Sequence, residues 1–134
     1  MDPEIRIRGY HTDMFQHVNN ARYLEFLEEG RWQLLENHMD LGTFLEKGYL
    51  LFVVNINISY KSQARVHDII VIQSGLHKIG NKSAVIRQQV VNKTTGDVCA
   101  LADVTFVVAD TSGNALKIEG ELKDYLVKIP ALEG

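Results

Sequence analysis

From Glu4 to Tyr10 apolar and charged positions alternate, with Ile5 and Ile7 between Glu4, Arg6 and Arg8, which predicts a short strand with one wet face. Gly9 ends it and a polar loop follows. From about Asn19 the period changes. Tyr23, Phe26, Leu27, Gly30 and Leu34 share one helical face, widened by Leu24 and Leu35, and Glu25, Glu28, Glu29 and Glu36 lie mostly opposite. The spacing predicts a helix running to about His38, with Asn19 as N-cap and Val18 and Tyr23 placed for a hydrophobic staple. Trp32 is the odd residue out on the acidic side: either a second surface covers it or its indole is exposed. Asp40-Leu41-Gly42 breaks the helix, and a short connecting segment with Phe44 and Leu45 leads to Gly48.

Four strand candidates follow, with no second long helix between them. Tyr49 to Lys61 opens apolar and then alternates, Val54, Ile56, Ile58 and Tyr60 against Asn55, Asn57 and Ser59. Asp68 to Lys78 carries Ile69-Ile70-Val71-Ile72, and Gly80-Asn81 marks a turn into Ser83 to Asn92. Thr95-Gly96-Asp97 is a second hairpin turn, and Val98 to Ala109 puts Ala100, Ala102, Val104, Phe106 and Val108 on one face. The tail from Glu119 to Ile129 is weakly helical and ends at Pro130. Turns of Asn, Asp and Gly between strands argue for antiparallel pairing. The expected class is α+β, one antiparallel sheet packed around one long helix, and residues 1–134 form a single domain. One helix covers only one face of such a sheet, so homo-oligomerisation is expected.

A net charge of −3 argues against general affinity for nucleic acid. Cys99, the single cysteine, excludes an intramolecular disulfide and reads as a buried inert thiol among Val98, Ala100, Leu101 and Ala102. Asp2, Glu4, Arg6 and Arg8 interrupt anything like a signal peptide, and no apolar run approaches the length that crosses a bilayer. A cytoplasmic protein without membrane or nucleic-acid partners is expected.

The stretch from Gly9 to Tyr23 concentrates polar groups at a strand-to-helix junction: Asp13, His11, His17, Asn19 and Asn20. Alone, Asp and Asn in a loop read as turn and cap residues. The pattern Thr12-Asp13-x-x-x-His17-Val18-Asn19-Asn20-Ala21-Arg22-Tyr23, followed by Glu28 and Trp32, resembles the hotdog-fold acyl-CoA thioesterases of the 4-hydroxybenzoyl-CoA thioesterase type. The likeness continues through Phe52 to Tyr60, Gly80-Asn81-Lys82-Ser83 and Gly120-Glu121-Leu122. The fuller string, Arg8-Gly9-Tyr10-His11-x-Asp13-x-x-Gln16-His17 through Tyr23-Leu24-Glu25-Phe26-Leu27-Glu28-Glu29, looks like the bacterial long-chain acyl-CoA thioesterases associated with β-oxidation.

That resemblance implies a sheet wrapped around the long helix, dimers joined sheet edge to sheet edge and often paired into tetramers, and active sites at the subunit interface. It places the catalytic carboxylate on Asp13 and the carbonyl-binding position on Asn20, carried over as its backbone N–H. Glu25, Glu28 and Glu29 then stand second to Asp13. In such a site Asp13 acts as general base or attacks directly through a mixed anhydride, and helix-start N–H groups stabilise the oxyanion. His17 is placed to orient the loop or the substrate.

The acyl-CoA substrate brings phosphates, for which Lys61, Arg65, Lys82 and Ser83 are the candidates, although each also reads as solvated surface. The acyl slot is expected from Phe15, Phe26 and Leu50-Leu51-Phe52, which core packing explains equally. No cofactor is called for. His11, Asp13 and His17 also form a three-ligand metal reading that lacks a fourth ligand. Two other functions compete: a hotdog 3-hydroxyacyl thioester dehydratase or hydratase, and an acyl-CoA sensor that binds without turnover. A sensor has no need of a carboxylate beside the thioester.

Overall fold

A computed structural model describes residues 2–132 of the chain. Five strands form one antiparallel sheet: β1 (Glu4–Arg6), β2 (Leu50–Tyr60), β3 (Ile69–Ile79), β4 (Ser83–Asn92) and β5 (Val98–Ala109), in the order β1-β3-β4-β5-β2. The sheet curls around α1 (Asn20–His38), as the alternation and the helical period predict.

Asn19 opens α1 as expected: its side-chain oxygen accepts the Ala21 N–H at 2.9 Å, and Val18 and Tyr23 are buried in the same cluster. The helix face of Tyr23, Phe26, Leu27, Gly30 and Leu34 is buried against the sheet. At Gly30 the approach is closest. A Cβ there would lie 2.4 Å from Ile72 Cγ2, 3.0 Å from Gln88 Nε2 and 3.1 Å from Ser74 Oγ, so only glycine lets α1 sit this low on β3 and β4. Gln88, fully buried beneath the helix, donates from Nε2 to the Leu27 carbonyl (2.9 Å) and to Ser74 Oγ (2.8 Å), while Arg31 donates to its Oε1 at 3.2 Å. Every polar atom of that side chain is thereby matched.

The segment expected as a plain connection is instead a second helix, α2 (Leu41–Glu46). Asp40 caps it, accepting from Thr43 N–H at 3.1 Å and Thr43 Oγ1 at 2.8 Å, and Phe44 is buried beneath Tyr49 and Tyr125. The tail forms α3 (Gly120–Leu126), whose Leu122 and Leu126 join Leu34, Leu35 and Phe106 in a second core cluster.

β2 departs from the simple alternation expected of it. A bulge between Val53 and Asn55 inserts Val54, so the inward set is Leu51 and Val53 before it and Ile56, Ile58 and Tyr60 after it. That single residue explains why an unbroken apolar run precedes a strictly alternating one. Across from these lie Val108, Phe106, Val104, Ala102 and Ala100 of β5, one inner layer after another. β2 is also the open edge of the sheet, and Phe52, Val53, Val54, Ile56 and Tyr60 are all exposed along it. No described helix is long and apolar enough to cross a membrane.

Candidate active site

After β1 the chain makes a 3-10 turn over Gly9–His11 that drives the His11 ring inward. There its centroid lies 4.1 Å from that of the tilted Tyr10 ring, and it meets Phe26 edge-on at 5.3 Å. Its Nδ1 accepts the Arg8 N–H at 2.8 Å, and its carbonyl accepts the Asn19 N–H at 2.9 Å. Burial first, then the Arg22 guanidinium, holds the His11 pKa below its ordinary value. His11 is therefore a neutral bolt between the loop and the helix start. Its inward nitrogen is already used, and among the described residues no three His, Cys, Asp or Glu side chains converge as a metal site would require.

Beyond the bolt, residues 12–18 fold back on themselves. Thr12 bridges Val18, Asp13 N–H donates to the His17 carbonyl at 3.0 Å, and Gln16 N–H donates to the Asp13 carbonyl at 3.0 Å. Gln16 takes a positive φ of 63° to close the turn. Asp13 heads this turn at the surface. Its Oδ1 accepts the Phe15 N–H at 2.9 Å, while Oδ2 makes no hydrogen bond among the described residues. The turn orients the carboxylate and leaves one oxygen free.

At the helix start, Asn19 uses its side chain on the Ala21 N–H and its carbonyl on the Arg22 N–H at 2.9 Å. The Asn20 N–H has no partner among the described residues, and it carries the positive end of α1. The Asn20 carbonyl accepts from Tyr60 Oη at 3.3 Å, which ties the helix start to the far end of β2. Buried Tyr23 packs edge-on to Tyr60 and accepts the Ala64 N–H on its oxygen at 3.3 Å; burial pushes its pKa up to about 12.

Three further sequence candidates meet beside the loop. Phe15, His17 and Arg65, with Gln16 and Val66, line one recess of about 350 Å³, and the His17 and Arg65 backbones pair as an isolated bridge. Lys61 directly follows β2, its N–H on the Cys99 carbonyl at 2.7 Å, and does not line this recess. Lys82 and Ser83 do not join them within one chain. They sit at the β3–β4 turn, and the eleven residues of β3 put about 35 Å between the two ends of that strand. Phe26 lines no slot, because it is buried against His11 and Tyr23. Phe52 faces away from the helix, and of the expected Leu50-Leu51-Phe52 lining Leu51 alone borders an apolar cavity. Glu25 pairs with Arg22 at 3.0 Å and Glu29 accepts from Gln33.

That cavity, of about 240 Å³, lies between α1 and the inner face of β2, β4 and β5. Arg31, Trp32, Leu51, Val53 and Phe106 border it, with Glu28 at its lip. Periodicity does not find it, since its walls come from four elements. The misplaced Trp32, 45% exposed, was the one signal in the sequence.

A curled sheet around a capped helix, carrying an acidic turn at the helix start, is the hotdog arrangement. Residues 7–130 match the thioesterase-like superfamily, and the chain belongs to that family. It is 44% identical over 127 residues to the long-chain acyl-CoA thioesterase FadM of Escherichia coli, covering 94% of this chain and 96% of that one. It is 30% identical to the putative acyl-CoA thioesterase YneP of Bacillus subtilis, over 80% of this chain and 78% of the relative. The crystal structure of YbaW, a probable thioesterase from Escherichia coli, superposes with a TM-score of 0.90 at 43% identity, covering 96% of this chain and 98% of that one.

Proposed function

We propose that the protein hydrolyses medium- to long-chain fatty acyl-CoA to the free acid and coenzyme A, with Asp13 and the Asn20 N–H as its reacting parts. One observation carries this reading. The fold holds on a fixed turn a carboxylate with one oxygen unused among the described residues, and the Thr12–Val18 pairing ties that turn to the start of a nineteen-residue helix whose first N–H has no partner among the described residues. Such a pair supplies what thioester cleavage needs. The N–H donates to the carbonyl oxygen as negative charge develops on it. Asp13 either takes a proton from the attacking water or attacks the carbonyl carbon itself; in both routes the thiolate of coenzyme A leaves and takes up a proton, and in the second, water then cleaves the acyl–aspartyl anhydride to release the acid and restore the carboxylate. The name of the Escherichia coli relative supports a long acyl chain. Arg65, with His17 beside it and Lys61 at the end of β2, is the cation group for the coenzyme A phosphates. A second copy paired along the open β2 edge is part of the same proposal, and it would bring distant residues such as Lys82 and Ser83 within reach of a neighbouring site.

Thiol release from acyl-CoA, followed with a chromogenic thiol reagent, tests it. Asp13→Asn is expected to lower kcat by roughly a thousandfold, in the range that loss of a catalytic base produces, with the melting temperature nearly unchanged. Unchanged turnover in Asp13→Asn and Asp13→Ala would remove Asp13 from the mechanism. Single turnover in ¹⁸O-water separates the routes, because label entering the Asp13 carboxylate requires the anhydride.

A further inference from the structure

The turn that carries Arg65 is held from behind, by residues outside the recess. Arg65 is exposed, borders the recess, and its guanidinium has no partner among the described residues. Its backbone closes a turn with Asp68: the Asp68 N–H donates to the Arg65 carbonyl at 3.0 Å, and the Arg65 N–H donates to Asp68 Oδ2 at 3.0 Å. His67 takes a positive φ of 76° within it. The same Oδ2 accepts from Asn92 Nδ2 at 2.9 Å. Asn92 ends β4 and is only 1% exposed, and its Oδ1 accepts the N–H groups of Thr94 at 3.0 Å and Thr95 at 3.2 Å in the following turn. On its other side Arg65 pairs with His17 of the reactive loop, and the adjoining Ala64 carbonyl accepts the Val18 N–H at 3.1 Å. A line of hydrogen bonds therefore runs from a buried amide in the sheet, through one carboxylate oxygen, to the backbone of an exposed arginine.

We infer that Asp68 and Asn92 are positioning residues that hold Arg65, with its guanidinium free, for the phosphates of coenzyme A. The inference rests on the role proposed above for Arg65 and goes beyond it, since neither Asp68 nor Asn92 lines the recess. Two effects combine. An arginine on a loose turn loses much of its bond to a phosphate to the entropy of ordering the backbone, and a turn fixed in advance avoids that cost. The second effect is charge. A carboxylate in the same turn as an arginine competes with phosphate for the guanidinium. Here two N–H donors, from Arg65 and Asn92, engage that carboxylate from the backbone and sheet side, and no ion pair joins Asp68 to Arg65 among the described residues. An amide suits position 92 because it gives an acceptor to the turn and a donor to Asp68 at once, with no charge to bury.

Thiol release from decanoyl-CoA and from S-decanoylpantetheine, the same thioester without any phosphate, separates phosphate binding from everything else. Arg65→Ala is expected to raise KM for decanoyl-CoA roughly tenfold at constant kcat, as the loss of one charge-assisted hydrogen bond does. Asp68→Ala, which cuts the tether, should raise it about three- to tenfold, again at constant kcat, and leave S-decanoylpantetheine unaffected. Asp68→Asn keeps the acceptor and drops the charge, so its KM should stay within about twofold of wild type. Asn92→Ala should follow Asp68→Ala; if it does not fold, the two Asp68 variants decide. Equal effects of Asp68→Ala and Asp68→Asn would overturn the tether. Losses shared by both thioesters, or a fall in kcat, would make Asp68 a structural part only and overturn it too. An unchanged KM in Arg65→Ala would remove Arg65 as the phosphate cation and the inference with it. Calorimetric binding of coenzyme A to the same variants reads the tether without turnover. Binding weakened in Asp68→Ala and kept in Asp68→Asn, with no thiol release by the wild type, would leave the positioning standing and sink hydrolysis.

Discussion

His11 shows how one residue locks the reactive loop to the helix. Its ring is held between Tyr10 and Phe26, and its Nδ1 serves the Arg8 N–H only while it is unprotonated. The folded-state pKa lies below the ordinary 6.5, so the unfolded chain takes the proton first as pH falls. This contribution to stability is complete well above pH 6.5 and is lost as pH falls through 6.5 toward the folded value. The melting temperature is expected to fall between pH 8 and pH 5. His11→Phe should flatten part of that slope while lowering stability at neutral pH by about 1–3 kcal/mol, because the Arg8 N–H loses its acceptor. An unchanged slope in His11→Phe would assign the acid sensitivity elsewhere. Asp13 is exposed and its side chain is held only by the Phe15 N–H of its own turn, and for that reason its replacement is expected to alter rate and not fold.

At the scale of elements, the height of α1 above the sheet is the decisive variable. Gly30→Ala raises helix propensity by about 1 kcal/mol, yet its Cβ would stand 2.4 Å from Ile72 Cγ2, a fully buried β-branched side chain that cannot swing aside. The variant is expected to lose about 1–3 kcal/mol by chemical denaturation, the usual cost of overpacking. A stabilised variant would mean that the helix rides up freely. The β2 bulge works in the opposite direction. By inserting Val54 it turns Leu51 and Val53 inward beside Ile56, and so continues the apolar wall past the point where alternation would have reversed it.

For the whole molecule, the unpaired β2 edge is the largest unfinished surface. An eleven-residue edge strand with Phe52, Val54 and Ile56 exposed lacks the charges and prolines that usually blunt such edges. Light scattering is expected to find a dimer or a dimer of dimers, and Val54→Lys should move it toward monomer. If the proposed active site is shared between copies, thiol release falls with dissociation. A wild-type protein that is monomeric and fully active would remove the partner from the proposal.

Much of this was legible before any coordinates. The helical period with its Asn19 cap, the turn residues between strands and the alternation of β5 are local signals, each carried by neighbouring residues whose spacing matches a regular backbone. The turn that carries Asp13 is equally local, closed within four residues. Other features were decided by tertiary contact. The α2 helix exists because Asp40 caps it and Phe44 finds a cover in Tyr49 and Tyr125. His11 turned inward, Phe26 was absorbed by the core, and Lys82 and Ser83 landed at the other end of the sheet from Asp13. The cavity beside Trp32 is the plainest case. Its walls come from Trp32, Val53, Ile86 and Phe106, residues up to seventy-four positions apart that only the pairing of β5 with β4 and β2 and the packing of α1 on the sheet bring together. Sequence determines the elements because their forces act over a few residues. The space between elements depends on how low one rests on another, and that is set by contacts across the fold.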